Sequence, residues 1–239
     1  MTLKALTFDF WGTLYQNTDA RAERLRLLGD TLEGHGYRQT REKLDAAYSH
    51  ARSVWGQVWR EEQHSIPIER WLDELLGHLD AQLPEYAEEA LGRAMEEVYL
   101  RGDEPRPVCG VAEVVPILAQ RFRLGLISDT GLTPGRVLRQ VMDRDGLLSH
   151  FDVLTFSDEL GMAKPQPGPF LHTLRQLDAI PEKAAHIGDL PETDLRGARE
   201  VGMKTILFLG VSHRDDGRRL ADGIFVDYSE LEELLNRVG

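Results

Sequence analysis

Short apolar runs that recur along the chain, most of them separated by helical stretches, are what most limits how this sequence can fold. Residues 3–9, 124–128, 153–156, 184–187, 204–209 and 223–226 each hold a few consecutive apolar side chains, the pattern of strands buried on both faces. Helical periodicity falls at 134–144, 168–178, 193–201 and 229–237. Strands that alternate with helices across short loops form parallel sheets covered by helices on both sides. The expected fold class is therefore α/β.

One gap in the alternation is far longer than the others. Between the first and second strands the texture is helical throughout, with helices predicted over 18–34, 40–62, 67–80 and 84–101. In the second of these, Leu44, Ala47, Tyr48, Ala51, Trp55, Val58 and Trp59 recur mostly at spacings of three and four and make a broad apolar stripe. Thr18 and Thr40 suit N-cap positions, and Pro67 and Pro84 suit first turns. The Trp, Leu and Tyr stripes are expected to fill a helical bundle. Pro105, Pro107 and Gly110 mark the return to the sheet. The chain thus reads as an α/β core, residues 1–15 and 106–239, interrupted by a helical insert, residues 16–105, with hinges near 15–17 and 103–108.

Its 239 residues are enough for a core and a smaller insert. With 28 Lys and Arg against 40 Asp and Glu, the net charge is −12, which argues against binding nucleic acid or anionic membrane. The single cysteine, Cys109, excludes an intrachain disulfide and a cysteine zinc site, as in a reducing compartment. No apolar run is long enough to span a bilayer, and the first residues lack the apolar stretch of a leader. A cytoplasmic protein, monomeric or homodimeric, with no membrane or nucleic-acid partner is expected.

Ligands of parallel sheets bind beyond the carboxyl ends of the strands, so those ends are where chemistry is sought. The first strand delivers Asp9, the second Ser128 and Asp129, and the fourth Asp189, with Asp194 five residues on. Lys164 follows the third. A single acid there is often a helix cap. A carboxylate, a hydroxyl, an ammonium and a carboxylate pair on one edge exceed what capping explains. Asp9 has the chemistry of a nucleophile that forms a covalent aspartyl intermediate. Asp189, with Asp194, offers the oxygen ligands that Mg²⁺ prefers. Lys164 would offset their charge, and Ser128 would hydrogen-bond a substrate oxygen.

Asp9-Phe10-Trp11-Gly12-Thr13-Leu14, the Ser128 strand end, Lys164-Pro165 and Gly188-Asp189 with Asp194 resemble, in order and spacing, the four motifs of the haloacid dehalogenase-like hydrolase superfamily. The helical insert after the first motif resembles that family's small helical cap. The resemblance implies a Rossmann-like core in which Asp9 attacks phosphorus or carbon, while Ser128 and Lys164 orient substrate and nucleophile. It implies Mg²⁺ held by Asp9, the backbone carbonyl of Trp11 and Asp189, with Asp194 a ligand or a support. Thr13 and Asp129 join Ser128 and Lys164 as candidate substrate contacts.

Trp11 departs from the family's phosphatase pattern, in which a second aspartate two residues after the nucleophile protonates the leaving group. Tryptophan cannot do so. Dehalogenases of the family usually carry an aromatic residue there, because halide leaves unprotonated. Asp189 points the other way, since those dehalogenases work without a metal. The expected activity is Mg²⁺-dependent hydrolysis of a small phosphorylated metabolite. The alternatives are 2-haloacid dehalogenation, or a weakly catalytic binding protein of this fold. No phosphate-loop, dinucleotide or Gly-x-Ser-x-Gly motif occurs. The acids Glu85, Glu88, Glu89, Glu96 and Glu97 are expected on a solvated helix face.

Overall fold

The computed structural model describes residues 2–212 and 214–239. Six parallel strands form its sheet: β1 (Ala5–Phe8), β2 (Arg123–Ser128), β3 (Val153–Phe156), β4 (Ala184–Gly188), β5 (Lys204–Phe208) and β6 (Gly223–Phe225). Their order is β3-β2-β1-β4-β5-β6, the doubly wound Rossmann-like arrangement. The chain leaves β1 for β2 and β3 on one side, then returns to β4 on the other, so the crevice of this fold opens at the ends of β1 and β4.

Alternate strand residues feed two cores. Leu6, Phe8, Leu124, Leu126, Ile206 and Phe208 pack with α5 (Val111–Ala119), α6 (Gly135–Arg144) and α10 (Leu231–Val238). Ala5 and Ile127 pack with α8 (Pro167–Gln176) and α9 (Arg196–Glu200). A short turn of helix, α7 (Ser157–Leu160), follows β3. Gly125 lets α8 lie close, since a Cβ there would sit 2.8 Å from the Thr173 methyl.

Four helices fill the long gap after β1: α1 (Arg21–Gly34), α2 (Arg41–Glu61), α3 (Ile68–His78) and α4 (Glu85–Glu96). They share an apolar cluster of their own, including Leu28, Leu32, Leu75 and Leu91, which Leu132 from the loop after β2 joins. The two chain segments that connect them to the sheet are paired, Gln16 N–H donating to the Arg106 carbonyl (3.0 Å) and Val108 N–H to that of Leu14 (2.9 Å).

Some expectations fail in detail. The Thr40 hydroxyl accepts from Lys43 N–H, but α1 starts later than Thr18, and the Asp19 carboxylate accepts from Arg21 N–H instead (2.8 Å). Pro67 and Pro84 occupy the N-cap itself, in extended conformation. Helix α5 is not expected from the sequence, because Pro105, Pro107, Gly110 and an internal Pro116 suggest a loop. Its buried Val111, Val114, Val115 and Leu118 nonetheless hold it on the sheet. Glu96 and Glu97 are not simply solvated, since both pair with Arg136 of α6 (2.5 and 2.8 Å). Among the described residues, no helix is long and apolar enough to cross a membrane.

Candidate active site

Lys164, in the loop between α7 and α8, organises the cluster. The side chain is 2% exposed, and its ammonium donates to Asp9 Oδ1 (2.5 Å), Asp194 Oδ1 (2.7 Å) and the Ile127 carbonyl (2.9 Å). An ammonium has three protons, so every donor is used. Asp194 sits in a π-helical turn, Pro191–Leu195, directly after β4. Its Oδ1 also meets His186 Nε2 (3.3 Å), and its Oδ2 accepts from Leu190 N–H (2.9 Å). Both of its oxygens are therefore engaged. His186 is tied to Thr7 Oγ1 in turn (2.8 Å), so β1 and β4 jointly hold Asp194 from beneath.

Asp189 differs. Its Oδ2 accepts from Ser212 Oγ (2.8 Å), but its buried Oδ1 has no hydrogen-bond partner among the described residues. One carboxylate oxygen from each of Asp9, Asp189 and Asp194 lies within 4.8 Å of the other two. Three buried carboxylates against one ammonium leave uncompensated negative charge, which is costly in a protein interior. The turn after β1 is tied by Gly12 N–H to the Tyr15 carbonyl (2.7 Å) and by Tyr15 N–H to that of Phe10 (2.9 Å). The Trp11 carbonyl takes part in neither bond. The clustered carboxylate oxygens, one of them unpartnered among the described residues, are hard donors that suit a small divalent cation.

Titration behaviour follows from burial. Desolvation pushes Asp9 well above the usual carboxylate range, with Lys164 opposing and Asp194 and Asp189 reinforcing. Burial, then the charge of Asp194, raises Asp189 to about 6. Asp194 moves the opposite way, because Lys164 and His186 together outweigh its burial. Lys164 is likewise held above its ordinary value, since Asp194 and Asp9 outweigh desolvation of the ammonium. A carboxyl that binds its proton more tightly when folded makes stability fall as pH rises from the unfolded to the folded value. For Asp189 the window runs from 3.8 to about 6. In EDTA, Asp189→Asn should therefore gain on the native protein across that window, by about 1.4 kcal/mol for each tenfold rise in proton affinity on folding, as read by thermal denaturation.

Gly12 shapes the same corner. Its φ is +73°, and a Cβ there would lie 2.5 Å from Asp189 Oδ2 and 2.9 Å from Asn17 Nδ2. Gly12→Ala is expected to cost about 1–3 kcal/mol of stability through strain alone. It should also displace Asp189, so that added Mg²⁺ raises the melting temperature less than in the native protein.

A cavity of about 780 Å³ lies between the sheet edge and the four helices, and Asp9, Trp11, Asp129, Lys164, Asp189 and Thr193 line it from the sheet side. Three candidate residues, Asp194, Ser128 and Thr13, stay outside its lining. Ser128 is buried, and its Oγ reaches the Asp129 carbonyl only at 3.5 Å. Thr13 is fully buried with a hydroxyl that has no partner among the described residues, while its carbonyl accepts from Tyr228 (3.0 Å). Asp129 receives Trp59 Nε1–H (3.0 Å) and Lys164 N–H (3.0 Å), and so connects α2 to the lysine loop.

The helices contribute more than the sequence suggested. Trp55, Trp59 and Trp71 line the cavity, while Trp71 also belongs to the expected apolar interior of the four helices and Trp55 packs against it. Asn17, Arg24, Tyr99 and Ser212 also line it and had no sequence signal. They lie in a hinge, on two helices and in a late loop, so only folding relates them to Asp9.

Comparison with known proteins follows the same outline. A family model described as haloacid dehalogenase-like hydrolase matches residues 3–202. The crystal structure of a 2-haloacid dehalogenase from Pseudomonas syringae is 27% identical and superposes over the full length of both chains with a TM-score of 0.74. The human haloacid dehalogenase-like hydrolase domain-containing protein 3 is 27% identical over 230 residues, 88% of this chain and 83% of that one. A phosphoserine phosphatase of Thermus thermophilus is 34% identical over 114 residues, 48% of this chain and 45% of the phosphatase. The chain thus spans about half the length of that phosphatase.

Proposed function

Since the chain belongs to the haloacid dehalogenase-like hydrolase family, we propose that it hydrolyses a small phosphorylated metabolite with Mg²⁺, through an aspartyl-phosphate on Asp9. The observation that carries this reading is the unpartnered, buried Oδ1 of Asp189 within the carboxylate trio. An enzyme that cleaves carbon–halogen bonds without a metal has no use for it. Asp9, Asp189 and the Trp11 carbonyl, backed by Asp194, would hold Mg²⁺, whose charge would offset that of the nucleophile and the phosphoryl oxygens.

The chain's own groups divide the remaining work. Lys164 binds Asp9 Oδ1 and so leaves Oδ2 for attack on phosphorus, which breaks the bond from phosphorus to the leaving oxygen. Water then attacks the aspartyl-phosphate, releases phosphate and regenerates Asp9, its proton passing to solvent. Lys164 orients the nucleophile and Asp129 offers a substrate contact from the cavity wall, whereas Ser128 and Thr13 are buried outside the lining. Residues 16–105 act as a cap over a core of residues 1–15 and 106–239, and their opening about the hinges gates the cavity. The setting we infer is cytoplasmic, and the enzyme is a monomer or homodimer.

Trp11 gives the reading its specific consequence. Half-buried against Phe10 and Tyr99, it lines the cavity but has no group acidic enough to protonate a leaving oxygen. General acid catalysis typically contributes about 10²–10⁴-fold, so alkyl phosphates lose that much while acyl and aryl phosphates, whose leaving groups depart as anions, do not. Expected are EDTA-sensitive turnover and a kcat/KM for aryl and acyl phosphates about 10²-fold or more above that for alkyl phosphates. Equal rates across leaving groups, or indifference to EDTA, would sink the proposal. Trp11 and the full-length likeness to a dehalogenase favour a second reading, 2-haloacid dehalogenation. Chloride release from 2-chloropropionate in EDTA would establish it.

A further inference from the structure

The cavity holds a cation that hydrolysis at Asp9 leaves without a task. Arg24, on α1, lines it and is only 7% exposed, yet no carboxylate pairs with it among the described residues. Its partners are neutral: Nε donates to the Met95 carbonyl (3.0 Å), Nη2 to Thr133 Oγ1 (2.8 Å), and the guanidinium lies 5.6 Å from the centre of the Tyr99 ring. A guanidinium carries five donors in a planar fork. Nη1 and the second proton of Nη2 remain unused among the described residues, and they form one edge of that fork. A charge this buried is normally paired, and here no described carboxylate neutralises it.

Its position relative to Asp9 can be traced through rings. Tyr99 neighbours both Arg24 and Trp11, the two rings 5.8 Å apart, and Trp11 follows Asp9 by two residues. Trp55 and Trp71 line the same cavity, stack on each other at 6.2 Å, and have buried indole N–H groups with no partner among the described residues. The far wall is therefore aromatic, with unsatisfied donors and, in Arg24, a buried positive charge that no described carboxylate pairs. It complements a flat or apolar body that ends in an anion.

We propose that Arg24 binds a second anionic group of the substrate, a carboxylate, so that the substrate class is a phosphorylated acid with a short apolar body between its two charged ends. This rests on the phosphohydrolase reading for the identity of the first end. The planar carboxylate matches the free edge of the guanidinium.

The test compares phenyl phosphate with 4-carboxyphenyl phosphate, and with a phosphonomethyl analogue that places a second phosphorus acid at the same end. The native protein should prefer the carboxylated ester by about tenfold or more in kcat/KM, the worth of a charge-assisted hydrogen bond. Arg24→Met should erase that preference, and a larger preference for the phosphonate would replace carboxylate by phosphate as the group bound. Binding of benzoate to Asp9→Asn protein, followed by tryptophan fluorescence, gives a readout that needs no hydrolysis. Adding Arg24→Met should weaken that binding by about tenfold. Arg24-dependent benzoate binding without phosphatase activity would uphold the anion site and remove the phosphohydrolase reading. Equal preference and equal binding in both proteins would overturn the site. Should Arg24→Met fail to fold, Arg24→Lys keeps the charge without the fork: a several-fold loss of preference supports the proposal, and none refutes it.

Discussion

Asp9→Asn is expected to lower kcat/KM by roughly 10⁴-fold or more while the protein melts at the same temperature or higher. The two halves of this result have different physical origins. Asparagine keeps the shape of the side chain but cannot form the aspartyl-phosphate, so the covalent route closes. Stability is spared because the carboxylate is a burden in the folded state. Burial and the neighbouring Asp194 and Asp189 hold its proton affinity well above the ordinary range. A neutral group at that position removes the repulsion, and Lys164 still has Asp194 and the Ile127 carbonyl as acceptors. Phosphate release and thermal denaturation in EDTA, measured on the same preparation, check both halves. Activity retained within tenfold would remove Asp9 as nucleophile.

Lys164→Met should fail in the other way, losing stability as well as activity. The side chain is replaced by one of similar length without charge, and Asp9 and Asp194 lose their common counter-ion. Breaking a buried ion pair from one side typically costs about 3–5 kcal/mol, which for a chain of this size lowers the melting temperature by about 10 °C or more. The pH dependence identifies the cause. In the native protein Asp194 is held below its ordinary range, so its contribution is present above its unfolded value and lost as pH falls through the depressed one. In the variant that depression is gone and the carboxyls can take up protons, so the deficit should shrink between pH 7 and about 4. The double variant Lys164→Met, Asp9→Asn should recover part of the loss, because one of the two stranded charges is gone. A deficit that is constant with pH would mean that lost packing, not charge, is responsible.

Much of this architecture could be read from the residues. Apolar runs of strand length separated by helical periodicity leave a covered parallel sheet as the way to bury both faces of every strand, and all six strands fall within a few residues of the expected positions. The α5 helix was hidden because Pro116 and its flanking prolines are local signals, whereas the burial of Val111, Val115 and Leu118 is a tertiary one. The same division runs through the site. Asp9, Ser128 and Asp189 could be placed on one edge because each ends a strand, and a parallel sheet puts all carboxyl ends together. Lys164 and Asp194 come from loops, so their motif spacing suggested a role without giving a geometry.

What no spacing rule could supply is the pairing across elements. That Lys164 spends all its protons on Asp9, Asp194 and Ile127, while one oxygen of Asp189 is left over, depends on how three loops meet. Arg24, Tyr99 and Trp55 belong to helices whose apolar stripes look like ordinary bundle interior. Only the docking of those helices over the sheet edge decides that their rings and the Arg24 guanidinium line a cavity. Periodicity and strand ends are local properties of a chain, so the sequence alone settled the fold class and the edge where chemistry sits. Charge balance and the shape of the cavity depend on which distant side chains share a dry space, and that was decided by the tertiary structure.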